Sequence, residues 1–303
     1  MNNLVSVIVP VYNRAHLVQE TIQSILDQTY QFFEIILIND GSTDGSLAIL
    51  NDFERKYPEK IRVIDQVNQG QIVARNNGIK IAKGSYIAFL DSDDLWLREK
   101  LERQIPLFEP GVGLVYSGTE IIDEGGQTTQ VEPADENMSG DIYPQLLVKN
   151  RMTGGTVVVT AEVLDRVGVF STDFKAAENW DLWLRICKVS QARAVAEPLV
   201  KYRVHSDNMS GDTQLMINAK LKLIEKHCDL DSKDPVIARY SRLAHADYHY
   251  REGLHYFSGE EFRRARKEFF SVLKFSLVYR DTWMRLARSL LGQRGNRLLR
   301  GLK

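Results

Sequence analysis

"IAFLDSDDLW", Ile87–Trp96, is the stretch whose reading decides the fold. An apolar run ends abruptly in Asp91, Asp93 and Asp94. A continuous apolar run of this length marks a strand buried on both faces. Carboxylates crowded at its end repel one another and resist burial unless something positive meets them. The same arrangement recurs toward the N-terminus. "VSVIVPVYN" runs into Pro10 and Asn13, "FEIILIND" ends at Asp40, and "IRVIDQ" leads to Asn68. Between these strands, "HLVQETIQSILDQ", "GSTDGSLAILNDFERKY" and "GQIVARNNGIKIA" carry helical spacing, the second with Ser42, Thr43 or Asp44 as cap. Strand and helix in alternation imply an α/β fold with a parallel sheet covered on both faces. Ligands of such sheets bind at the carboxyl ends of the strands. Asn13, Asp40, Asn68 and Asp91 all fall there.

Further along, "GVGLVYSGTEIID" reads as a strand and hairpin, and "MTGGTVVVTAEVLDRVG" as a glycine turn, short strand and helix. "NWDLWLRICKVS" is an amphipathic helix and "ARAVAEPLVKYRVH" an extended return. From about Asp212 only helices follow, about three of them. "ARYSRLAHADYHYREGLHYFSG" and "EEFRRARKEFFSVLKFS" resemble one tetratricopeptide-like pair, which cannot bury its face alone and should pack on the main domain or a partner. The expected boundaries are 1–210 for the α/β domain and 211–303 for a helical C-terminal extension.

The 303 residues suit one large domain with an appendage. A hydrophobic fraction of 44% and a charged fraction of 26% are those of a soluble globular chain. A net charge of -1 gives no reason to expect nucleic acid as partner. Cys187 and Cys228 are far apart and outside any zinc-type spacing, which fits a reducing cytoplasm. No signal peptide is apparent, and no apolar run reaches the roughly 18 residues of a membrane span.

Three chemistries fit the acids at 91–94. One is a helix cap with acids in the first turn. Another is a phosphotransfer nucleophile, disfavoured because the motif is mid-chain and continues with Leu95. The third is a divalent cation shared between carboxylates and substrate phosphates, since hard cations prefer oxygen ligands. A G-x-G-x-x-G dinucleotide fingerprint is missing after the first strand, where "PVYNRA" stands.

Seven motifs in order resemble those of a family 2 glycosyltransferase with the GT-A fold, a Rossmann-like nucleotide-diphospho-sugar transferase domain. They are "VIVPVYN", "INDGSTDGS", "NQGQIVARNNGI", "FLDSDD", "MTGGTVVV", "AENWDLWLRI" and "YRVHSDNMS", over about residues 4–210. The resemblance implies a metal-dependent, inverting transfer from a nucleotide-sugar, a UDP-sugar, to a glycan or polyprenyl-linked acceptor in surface polysaccharide assembly. It implies that Pro10, Val11 and Tyr12 line the base pocket and that Asp40 accepts from the uracil imide or ribose. Arg75 would sit near the base or diphosphate. Asp91 and Ser92 would touch the nucleotide, with Asp91 reaching the metal through water. Asp93 and His205 would bind Mn2+ or Mg2+ directly. Gly154, Gly155 and Trp180 would border the donor sugar or acceptor. For each residue a plainer role exists: a cap for Asp40, a surface ion pair for Arg75, a turn for the glycines, core packing for Trp180 and Trp183.

The chain departs from the family at one point. The family carries Glu-Asp at the head of the "WDLWLR" helix, with the second acid as general base; here the pair is Glu178-Asn179, and an amide cannot take a proton. Glu178 or Asp181, three residues apart and able to share a face, would then serve as base. Alternatively the base lies elsewhere, or the chain is a catalytically impaired sugar-nucleotide-binding or scaffold protein. Finally, from Arg263 to Lys303 there are twelve Lys or Arg against two acids. Trp283, Met284, Leu286, Leu290 and Leu291 alternate there with Arg285, Arg288, Arg294, Arg297 and Arg300. That is the pattern of a basic amphipathic helix at an anionic membrane surface, or of one packed on the domain. The expected location is the cytoplasm, peripheral at the inner face of the cell membrane.

Overall fold

The computed structural model describes residues 3–205 and 212–292. "SDNMS" beyond His205, and Arg294, Arg297 and Arg300 of the basic tail, lie outside the described residues. The chain forms two units. Among described residues the first comprises 3–142, 151–174 and 178–205, and the second 143–150, 175–177 and 212–292. The segments 143–150 and 175–177, read from sequence as part of the α/β domain, therefore belong to the helical unit.

The first unit opens with β1 (Val5–Val11), α1 (Val18–Leu26), β2 (Phe33–Asp40), α2 (Ser46–Lys56), β3 (Ile61–Gln66), α3 (Gln71–Ile81) and β4 (Tyr86–Phe89). β1 lies between β2 and β4, all parallel, with Val5 opposite Phe33 and Tyr86. Every residue of β1 is buried. Val5, Val7, Val9 and Val11 face a core that includes Val18, Ile22 and Ile25 of α1. On the other face Ile8 and Ile38 press on α3 at Gly78, where a Cβ would come within 2.7 Å of Ile8. Burying an aliphatic side chain contributes about 1.5–3 kcal/mol, so these positions anchor the strand ends that follow. Pro10 is tolerated in a central strand because β4 stops pairing with β1 at Ile8, before it.

Then come β5 (Leu95–Trp96), α4 (Lys100–Gln104), β6 (Val112–Ile122) and β7 (Thr128–Glu132). The second unit contributes α5 (Tyr143–Val148), and the first resumes with β8 (Val157–Thr160), α6 (Ala161–Val167), α7 (Glu178–Cys187) and β9 (Gln191–Arg203). The sheet order is β3-β2-β1-β4-β8-β6-β9-β5, with β7 paired to β6. The expected parallel pairing holds among β1 to β4 and again between β6 and β9, but the other neighbours are antiparallel. β8 runs antiparallel to β4, β6 to β8, and β5 to β9. Parallel neighbours need a full returning helix. Directly after β4 the chain has only a two-residue strand and a five-residue helix.

Among the described residues the helical unit adds α8 (Thr213–His227), α9 (Pro235–Ser258), α10 (Phe262–Phe275) and α11 (Thr282–Leu290), four helices where about three were expected. Asp212 and Asp234 cap α8 and α9 by accepting from Leu215 N–H and from Val236 and Ile237 N–H. Gly253 of α9 lets α10 approach, since a Cβ there would meet the Phe269 ring at 2.7 Å. Ala246, Tyr250, Ala265, Phe269, Val272 and Leu286 form the core of α9, α10 and α11. The helix pair therefore buries its face against α11 within its own unit. No described helix is long and apolar enough to cross a membrane.

Candidate active site

The ends of the parallel strands are tied together by short polar side chains. Asn13 adopts a left-handed backbone, φ 51°, which Asn tolerates. Its Oδ1 accepts from Thr43 N–H at 2.8 Å, and its N–H donates to Ser42 Oγ. α2 is preceded by Gly45 as cap, rather than capped by Ser42, Thr43 or Asp44. Asp44 instead accepts from Ser46 and Ala15 N–H, which joins the first two strand ends. Asp40 does not cap α2 either. Its oxygens accept from Gln69 N–H, Gly70 N–H and Gln66 Nε2, each at 2.8 Å, and so hold the loop before α3. A carboxylate has about four lone-pair sites, which leaves one for a base imide. Pro10 and Val11 are buried in β1, whereas Tyr12 is 46% exposed. Only Tyr12 of the three is placed to offer a ring to a nucleobase.

Arg75 on α3 is buried, not open to a diphosphate. Its Nη1 donates to Glu178 Oε1 at 2.7 Å and its Nη2 to Asp91 Oδ1, while the guanidinium lies over the Phe170 ring at 5.5 Å. Burial alone would lower its pKa, but the charges of Asp91 and Glu178 outweigh that and raise it. Arg75 thus acts on the site by holding two acids in place. Gln71 Nε2 donates to the same Glu178 oxygen at 3.3 Å.

Asp93 Oδ2 lies 3.1 Å from His205 Nε2 and accepts from Arg14 Nε at 3.2 Å. Sequence separates Asp93 and His205 by more than a hundred residues; the β5–β9 pairing brings their strands together. Asp94 points inward. Its Oδ1 accepts from Arg203 N–H at 2.9 Å, while Oδ2 has no hydrogen-bond partner among described residues. Burial first, then the charges of Asp91 and Asp93, push its carboxyl well above the usual range, against the opposing Arg203. Ser92 is buried in the turn between them. Arg14 and Arg203 were missed from the sequence. Arg203 lies two residues before His205, and its guanidinium donates to the Asp93 and Glu124 carbonyls.

At α7, the two acids expected on one face have different tasks. Glu178 joins Arg75 and Gln71. Asp181 is fully buried and accepts from Arg185 Nε at 2.9 Å, and that guanidinium holds the carbonyls of Val167, Gly168 and Val169. Asn179 lies against Gly154, where a Cβ would come 3.2 Å from its Nδ2. A Cβ on Gly155 would meet Val200 at 3.3 Å and Leu90 at 3.4 Å. Packing within the chain thus accounts for both glycines. Their turn is pinned by Trp96 Nε1 on the Gly155 carbonyl and by Lys100 and Gln104 on that of Thr156. Trp183 is core, packed with Phe89 and Phe170, and Trp180 is partly exposed.

The donor set fits a divalent cation. A carboxylate and an imidazole 3.1 Å apart have the spacing of neighbouring ligands about 2.1 Å from one ion. Asp94 beside them keeps an unpartnered oxygen.

Residues 6–166 match the family described as Glycosyl transferase family 2. The putative teichuronic acid biosynthesis glycosyltransferase TuaG of Bacillus subtilis is 32% identical over 69% of this chain and 82% of its own length. An uncharacterized glycosyltransferase of Rickettsia bellii is 35% identical over 67% of this chain, a match that spans only 29% of that protein. Among solved structures, S. aureus TarS 1–349 in complex with UDP-GlcNAc superposes with a TM-score of 0.65 at 17% identity, covering 94% of this chain and 88% of that one. The mannosyltransferase PcManGT of Pyrobaculum calidifontis, in complex with GDP-Man and Mn2+, gives 0.61 at 19%, covering 94% and 84%. The fold is therefore GT-A with a helical C-terminal part, and the match extends from the buried first strand through the acids at 91–94 to α6: this chain belongs to glycosyl transferase family 2.

Proposed function

We propose that the chain is a glycosyltransferase that moves a sugar from a UDP-sugar to a hydroxyl of a glycan or polyprenyl-linked acceptor during surface polysaccharide assembly. The observation that carries this is the meeting of Asp93 and His205 at the strand ends, beside Asp91. These residues would hold Mn2+ or Mg2+. Such a cation neutralises charge on the departing nucleoside diphosphate. Tyr12 offers its ring to the base, and Asp40 the remaining lone pair to the imide. Arg75 keeps Asp91 facing the nucleotide and Glu178 facing the acceptor. The acceptor oxygen attacks the anomeric carbon, its proton passes to Glu178, and the bond to the diphosphate oxygen breaks with inversion. Asp181, turned toward Arg185, positions the head of α7 rather than taking the proton. Trp180 and the Gly154–Gly155 turn border the acceptor. The fold and the nucleotide-sugar complexes of its structural neighbours support this reading.

The test is calorimetric binding of UDP, GDP and dTDP, with and without Mn2+, to wild type and Asp93→Ala. UDP binding that needs metal in the wild type, with that metal-dependent binding lost in the variant, supports the site; no nucleotide binding under any condition removes it. Asn179 favours a second reading, a sugar-nucleotide-binding scaffold. Slow hydrolysis of the UDP-sugar separates the two, since a binder leaves the donor intact. Peripheral membrane contact through α11 belongs to the same proposal. Trp283, Met284, Leu290 and Leu291 are exposed there beside Arg285 and Arg288. Cosedimentation with anionic vesicles, lost on deletion after Arg280, tests it.

A further inference from the structure

The helical unit holds a group of side chains that sugar transfer does not use. His249 and Glu252 stand three residues apart on α9 and so share a face. Glu268 of α10 reaches the same point, with its Oε2 2.7 Å from His249 Nδ1. One ligand atom from each of the three residues lies within 4.8 Å of the other two. A cation bound at about 2.0–2.2 Å spaces neighbouring N and O ligands about 3 Å or more apart, so small side-chain movements close the set.

The surroundings favour a cation in three ways. Neither Glu252 nor Glu268 pairs with a Lys or Arg among the described residues; the nearby Arg264 is engaged with Glu261 and the Tyr256 ring. The imidazole is held between the rings of Phe275, stacked at 5.7 Å, and Tyr248, at 5.1 Å, so little freedom remains to be lost on binding. Glu252 accepts from the Tyr256 hydroxyl at 3.4 Å, the kind of partner that commonly orients a metal ligand.

We propose that His249, Glu252 and Glu268 bind one first-row divalent transition-metal ion, Zn2+ being the best match, and that the ion pins α9 to α10. An imidazole with two carboxylates suits Zn2+ better than Mg2+, and water completes the fourth position. Ligation at Nδ1 places the ring proton on Nε2. The site is independent of the transferase reading, because it uses none of the strand-end acids.

The experiment is Zn2+ uptake by the full chain, measured by equilibrium dialysis and metal analysis. It is made in an Asp93→Ala background, so that the strand-end acids do not contribute. One equivalent is expected in that background, with affinity falling tenfold or more in His249→Ala and again in Glu268→Gln. Co2+ in the same background should give visible ligand-field bands that His249→Ala lacks, and Glu268→Gln, close in shape to the native residue, guards against misfolding. No bound Zn2+ in the background protein, or uptake unchanged by both substitutions, overturns the proposal.

Discussion

Buried charge is handled in opposite ways in the two units. At the strand ends Arg14 pairs with Asp93 and Arg75 is shared by Asp91 and Glu178, while Asp94 accepts from the Arg203 backbone N–H and its other oxygen has no hydrogen-bond partner among described residues. In the helical unit a single acid, Asp247, 1% exposed at its side chain, is surrounded by donors. Lys220, Arg251, Arg280 and the Tyr279 hydroxyl all converge on it. The Asp247 carboxyl falls to about 2, because these donors outweigh its burial. Lys220 falls as well, to about 8, because burial and the charges of Arg251 and Arg280 outweigh its bond to Asp247. Asp247 is thus over-supplied with positive partners, and the strand-end acids are under-supplied. The first arrangement serves the fold and the second awaits a cationic partner.

Asp247→Ala breaks this comparison most severely. Removing the acid leaves buried Lys220, together with Arg251 and Arg280, without the carboxylate they share, so stability should fall by about 3–5 kcal/mol, read from denaturant unfolding. Nucleotide affinity of the folded fraction should stay the same. Asp93→Ala should do the reverse. Metal-dependent UDP binding is expected to weaken by about 100-fold, near 2.7 kcal/mol, while the melting temperature holds or rises as repulsion with Asp91 and Asp94 is relieved. A drop in melting temperature on the scale of Asp247→Ala would mean that Asp93 is structural.

Acid sharpens the contrast further. Asp247 has a folded pKa of about 2, below its ordinary 3.8. Its contribution is therefore complete above about pH 3.8 and fades as pH falls through about 2. The stability lost is about 2 kcal/mol, and Asp247→Asn should lack this step in an acid-unfolding series. The smallest effect concerns Asn179. Asn179→Asp restores the acid pair at the head of α7, and kcat should rise about tenfold, roughly 1.4 kcal/mol, with KM little changed. An unchanged kcat would locate proton transfer at Glu178 alone, and Glu178→Gln should then abolish turnover while UDP still binds.

Much of the first unit was legible in the order of its residues. β2 and β3 coincide with "FEIILIND" and "IRVIDQ": β2 is buried at all but one position, as its apolar run implies, whereas β3 is an end strand with only Ile61 buried and was legible from its β-branched residues and its spacing between helices. The strand-end polar residues were equally visible. What they do was not. Asp40 looked like a ligand or a cap for α2; it does not cap α2, and it holds Gln69 and Gly70. Arg75 looked like a diphosphate contact, yet it is buried between Asp91 and Glu178. Asp181 looked interchangeable with Glu178, and a shared helix face does not reveal that Arg185 claims one of them. Each side chain is directed by neighbours remote in the chain, and local periodicity carries no record of those.

The sequence by itself determined the strand–helix alternation, the placing of acids at strand ends and the loss of the usual acid at Asn179, since these depend on residue type and local spacing. Tertiary structure alone decided three further things. It set antiparallel neighbours after β4, seated His205 on Asp93, and assigned 143–150 and 175–177 to the helical unit. All three follow from which surfaces are buried together, and that is settled only when distant segments compete for the same core.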